Sequence, residues 1–160
     1  MKTRLLTQLV QVPADLDYVE HFQVLSGVNL EIRRHGPSAD RLLRKAILEM
    51  DIGNYAASLA AAQDACALDP VSAETHHQVG LAYLLLAMAK AGVVPTGPGV
   101  RETPSESCMG LLHRAIDALK EVLRINPDDS ETQDDMTVLE QWAAHDSEAK
   151  LHKALRGALN

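Results

Sequence analysis

Aromatic side chains are nearly missing from this sequence: one tryptophan, one phenylalanine and three tyrosines in 160 residues. β-Branched residues are also outnumbered by alanine and leucine. Strands draw on both missing classes, so their scarcity argues against a β architecture and favours helices. The chain has two cysteines, too few for a disulfide framework, and they form no metal-ligand spacing. Cys66 reads as a small core residue and Cys108 as a loop thiol in a reducing cytosol. Basic runs are confined to Arg33-Arg34 and the Arg41 to Lys45 stretch, and the net charge is -7. That balance argues against nucleic acid or an anionic membrane as the partner. No run approaches 18 unbroken apolar residues, so no membrane span is expected. At the start, Lys2 and Arg4 precede an apolar stretch, but Thr7, Gln8 and Gln11 break it and no cleavage site follows. A secretory leader is therefore not expected, and a cytoplasmic location is.

What is present suits one folded domain. Hydrophobic residues make up 46% and charged residues 23%, enough apolar mass to build a core. The chain also repeats itself. Ala39 to Tyr55 aligns with Ala73 to Ala89 at an offset of 34 residues (39 to 73). Gly53 to Pro70 aligns with Gly110 to Pro127 at an offset of 57 (53 to 110). One helix-turn-helix unit thus occurs twice, and the second copy carries 23 extra residues (57 less 34) between its helices.

The second copy places His76, Val79, Gly80 and Tyr83 on its first helix and Ala115, Leu119, Val122 and Pro127 on its second. The first copy matches at Leu42, Ala46, Ser58, Ala62, Ala65 and Pro70. This pattern resembles the tetratricopeptide repeat family, whose 34-residue unit has bulky, small and aromatic positions in that order. Lys45 and Glu49 depart from it, and His76 stands at the usual tryptophan. The resemblance covers residues 39 to 127 well and 130 to 158 loosely. It implies an all-α fold of antiparallel helix pairs stacked as a short solenoid. Gly80 should then face Ala115, as Ala46 faces Ser58, because two helices approach closely only where side chains are small.

Local signals mark the element ends. Ser72 and Asn54 are expected to cap helices, and Ser130-Glu131-Thr132-Gln133 has the form of a capping box. Met136, Leu139, Trp142 and Ala143 make an apolar stripe, His145-Asp146-Ser147 a break, and Leu151, Ala154 and Leu155 a last helix. The segment 1–36 fits a helix through Leu16, Val19, Phe22, Leu25 and Val28. It also fits a strand through Phe22, Val24, Val28, Leu30 and Ile32. The helix is favoured, with Pro13-Ala14-Asp15 as its start and Gly36-Pro37 as its end. Residues 37–160 form the repeat domain. The insertion, about 91–107, holds three prolines and three glycines, which exclude regular structure; such a loop is either mobile or an ordered binding element.

No Gly-rich phosphate loop, G-x-S-x-G motif or Cys/His nucleophile pairing occurs, so no enzyme and no cofactor are expected. His76, His77 and His113 are the tempting metal set. Adjacent helical residues point about 100° apart, so His76 is read as core, His77 as groove, and no metal is expected. The acids Asp128, Asp129, Glu131, Asp134 and Asp135 lack the Gly turn of a Ca²⁺ loop and read as first-turn acids or an acidic rim.

In the repeat family the first helix of each unit lines a concave groove. That resemblance assigns the lining to Leu43, Arg44, Ile47 and Met50, then His77, Leu81, Leu84 and Leu85, then Asp134, Asp135, Val138 and Trp142. With one cation, Arg44, and acids in the third unit, the groove does not suit a carboxylate clamp. The expected function is an adaptor that takes a hydrophobic or amphipathic segment of a partner protein. Secretion chaperones for translocator proteins are similar in size and charge. A self-assembling scaffold, with the N-terminal segment of one copy in the groove of another, is the third reading.

Overall fold

Most of the helices begin where a small polar side chain can accept a backbone N–H that has no partner of its own. The computed structural model describes residues 18–98, 100 and 105–158. Among them are seven helices and no strand: α1 (Tyr18–His35), α2 (Ala39–Asp51), α3 (Tyr55–Leu68), α4 (Ala73–Lys90), α5 (Cys108–Ile125), α6 (Ser130–Ala143) and α7 (Glu148–Ala158). None of them is long and apolar enough to cross a membrane. Ser38, Asn54, Ser72, Ser107 and Asp129 each accept from the N–H three residues on, opening α2 to α6.

Asp129 corrects the expected capping box. Its carboxylate accepts from Thr132 N at 3.1 Å and from Thr132 Oγ1 at 2.8 Å, and Ser130 is already the first helical residue. An ionised carboxylate is the stronger acceptor at a helix N-terminus, so it displaces the neighbouring hydroxyl. The first segment is helical over 18–35; its expected start, residues 13–15, lies outside the described residues, as does the leader question.

Consecutive helices pack against one another, and α4 also touches α2, while α7 touches α5 as well as α6. One core cluster runs from Tyr55 through Leu81, Leu84, Leu85 and Met88 of α4 and Leu111, Leu112 and Leu119 of α5. It continues to Met136, Leu139 and Trp142 of α6 and Leu151 and Leu155 of α7. A smaller cluster of Ala46, Ala61, Ala62, Val79 and Ala118 joins α2 to α5 through alanines.

At the α4–α5 seam two helices approach closely. A Cβ built on Gly80 would stand 3.1 Å from Leu119 Cδ2, and 3.5 Å from both Ala115 O and Ala118 Cβ. Ala115 and Ala46 are fully buried. So is Ser58, whose Oγ has no hydrogen-bond partner. Glycine costs about 1 kcal/mol in a helix relative to alanine, and the contact it permits offsets that through dispersion over many atoms.

The first part of the insertion is docked. Gly97 N donates to Gly53 O at 3.1 Å, and Tyr55 Oη donates to Pro95 O at 2.8 Å. Gly53 has φ +78 in the α2–α3 turn, and a Cβ on Gly97 would lie 1.8 Å from Ile52 O. Two backbones touch here, which only glycines allow. Val93 and Val94 pack on the main core as the chain crosses to this corner.

Candidate functional site

The expected groove residues separate into two sets. Leu81, Leu84 and Leu85 are 1%, 0% and 3% exposed, and Trp142 is 8% exposed; all four belong to the main core. They are core residues and not an open lining. The reason is visible in α4 itself: from Leu81 to Met88 it is apolar on every face, and a helix apolar all round is buried all round. His77 and Asp135 are buried as well. Arg44 and Ile47 are exposed, while Leu43, Met50, Asp134 and Val138 are half-buried. The acidic rim is also divided: Asp129 caps α6, Asp135 is inside, and Asp128 and Glu131 remain exposed.

The histidines exchange their expected places. His77 is the buried one, and His76 is half-buried with its Nε2 2.9 Å from Pro70 O. His113 is exposed on α5.

His76 instead lines a cleft of about 320 Å³ between α3 and α5, with α4 as its floor. Val79 and Ala118 supply apolar floor; Gln63, Cys66, Tyr83, Arg114, Asp117 and Glu121 supply the polar wall. Gln63 Nε2 donates to Tyr83 Oη at 3.0 Å. Arg114 Nε is held by both oxygens of Glu106, at 3.0 and 3.2 Å. The Arg124 guanidinium holds the Glu121 carboxyl below its ordinary value, and burial pushes the Cys66 thiol up. The cleft offers charges of both signs around a small apolar floor.

Exposed apolar side chains concentrate elsewhere. Tyr18, Val19, Phe22, Val24 and Leu30 lie on α1 and Ile47 on α2, while Leu68 ends α3 and Val71 lies in the turn after it. α1 buries only Leu25 and Val28. It is joined to α2 by Arg44 Nη1 to Glu31 Oε2 at 3.4 Å and by His21 Nε2 to Asp51 Oδ2 at 3.8 Å.

Metal-ligating types meet at the other end. Among the described residues, Cys108, Glu148 and His152 place one donor atom each within 4.8 Å of one another. Cys108 is not a loop thiol: it is the first residue of α5 and fully buried, with Sγ donating to Ala87 O at 3.3 Å. Burial, and then the Glu148 carboxylate, push its thiol up to about 11. The sequence holds one legible sign of this group, the Glu148 and His152 pair spaced i,i+4 on a helix. Nothing local points from there to Cys108. No protein-family model matches the chain, and neither a curated protein nor a solved structure matches it.

Proposed function

We infer that the protein is a tetratricopeptide-type adaptor that binds a hydrophobic or amphipathic segment of another protein. The observation that carries this reading is α1, which leaves five large apolar side chains exposed and buries two. Apolar surface gathered on one element of a soluble fold marks a contact surface more often than scattered residues do. Val19, Phe22 and Leu30, with Ser26 between them, follow steps of three and four residues along one helical stripe. A partner helix can lie along such a stripe with its own i, i+3 and i+7 side chains. The chain's net charge of -7 favours a partner segment with basic flanks. Two free thiols fit a cytoplasmic setting.

The binding surface in this reading is α1 with Leu43, Arg44 and Ile47 of α2. The α4 leucines belong to the core and do not touch the partner. Capture from host extract, comparing wild type with a Val19→Glu, Phe22→Glu variant, tests it. A partner lost by the variant, and rebound by purified wild type alone, is the expected outcome. A partner held equally by both would sink the assignment to α1. If wild type recovers only itself, and sedimentation shows association that the variant lacks, the same stripe serves self-assembly.

A further inference from the structure

Cys108, Glu148 and His152 bring a thiol, a carboxylate and an imidazole together, and the i,i+4 ion pair on α7 accounts for only two of them. Glu148 and His152 sit one turn apart on α7, with Oε2 and Nε2 3.3 Å apart. Bonds of about 2.0–2.2 Å to a tetrahedral zinc ion place a nitrogen and an oxygen donor about 3.3 Å apart, so that edge already has the required length. The other carboxylate oxygen is occupied: Glu148 Oε1 accepts from Met109 N at 2.9 Å. That bond orients the carboxylate and leaves Oε2 turned to the histidine, as outer-shell hydrogen bonds do for metal-bound carboxylates. His152 Nε2 is buried, and Glu148 Oε2 is the one ion-pair partner it has among the described residues. The i,i+4 ion pair accounts for Glu148 and His152 but not for the third donor, Cys108 Sγ, within 4.8 Å of both.

We propose that Cys108, Glu148 and His152 bind a divalent transition-metal ion of the zinc class, with solvent in the fourth position. Thiolate, imidazole and carboxylate together suit a borderline-soft ion better than a hard one such as Ca²⁺ or Mg²⁺. Two anionic ligands neutralise the divalent charge. Lys90, the nearby cation, is held by the Glu106 carbonyl. On binding, the Cys108 thiol gives its proton to solvent and its hydrogen bond to Ala87 O is replaced by the sulfur–metal bond. No electron changes hands. With donor atoms now up to 4.8 Å apart, the sulfur edge closes by about 1 Å to reach tetrahedral spacing. The ion would fasten α7 to the start of α5.

Titration of the metal-free full chain with Co²⁺, followed by absorbance, tests the site. The expected result is saturation at one equivalent, with a thiolate-to-cobalt band in the near ultraviolet and visible bands of tetrahedral intensity. Cys66→Ser should retain both, and Cys108→Ser should lose the thiolate band. His152→Gln, at a half-buried position that circular dichroism can show to be folded, should weaken binding. The loss should exceed the roughly 10–100-fold typical of removing an outer-shell partner. The proposal is overturned if one equivalent of Co²⁺ yields no thiolate band. It is equally overturned if the band follows Cys66, or if His152→Gln binds like wild type. Should Cys108→Ser fail to fold, the Cys66 and His152 variants decide the matter alone.

Discussion

α1 and α4 are both 18-residue helices, yet α4 buries twelve of its residues and α1 buries two. Composition explains part of the gap, since α4 runs apolar from Leu81 to Met88, yet α1 also carries Tyr18, Val19, Phe22, Val24 and Leu30, on its exposed surface. Position explains the rest. α4 is enclosed by α2, α3 and α5, whereas α1 meets α2 as its main neighbour. A leucine in α4 is therefore structural and a phenylalanine in α1 is available for contact. The same residue class serves two ends, and the number of neighbours decides which.

The comparison can be broken most violently inside α4. Leu84→Glu puts a carboxylate at a fully buried site, which should cost at least about 4 kcal/mol and abolish a cooperative melt by circular dichroism. A variant that folds normally would mean that this face is open after all. Gly80→Leu overpacks the α4–α5 seam and should cost about 1–3 kcal/mol in urea unfolding. Gly80→Ala is the sharper probe. Its Cβ meets only a flexible Leu119 methyl at 3.1 Å and ordinary contacts at 3.5 Å. A gain of about 1 kcal/mol in helix propensity should roughly cancel that crowding.

A smaller effect is expected at the α2–α3 corner. Asn54 caps α3 and donates from Nδ2 to Glu49 Oε2 at 3.0 Å, so Asn54→Ala should cost about 1 kcal/mol. Glu49 also sets a pH dependence. Burial raises its carboxyl above the ordinary 4.5, against the lowering by Lys45 and Asn54. The native state then holds this proton more tightly than the unfolded chain. The contribution to stability is full below pH 4.5 and is lost as pH rises through the raised value. Glu49→Gln should therefore gain on wild type as pH increases, in unfolding free energies measured from acid to neutral pH. A gap that shrinks with pH would contradict the sign. Least of all should Val19→Glu with Phe22→Glu disturb stability. At exposed positions the change should stay within about 0.5 kcal/mol each, leaving the loss of a partner as their effect.

Much of the local structure was legible. Ser72 and Asn54 cap the helices expected of them, residues 18–35 are helical, and the break at 145–147 separates α6 from α7. These depend on residues a few positions apart, which sequence displays directly. The groove was less legible. Leu43 and Ile47 are accessible, but Leu81, Leu84, Leu85 and Trp142 went into the core. A register borrowed from a repeat family names the face of a helix. It does not say whether another element covers that face. The insertion shows the same limit: its glycines and prolines announced irregular backbone, and only the fold shows Gly97 seated on Gly53.

By itself, the sequence determined the helical class, the caps at Ser72 and Asn54, and the small residues that let α4 and α5 meet. Each follows from propensity, periodicity or side-chain volume, which are properties of short stretches. The tertiary structure alone decided that α4 is enclosed while α1 stays open, that His77 is buried and His76 lines a cleft, and that Cys108 meets Glu148 and His152. Those outcomes depend on which distant segments fill the space around a residue, and that is settled only when the whole chain packs.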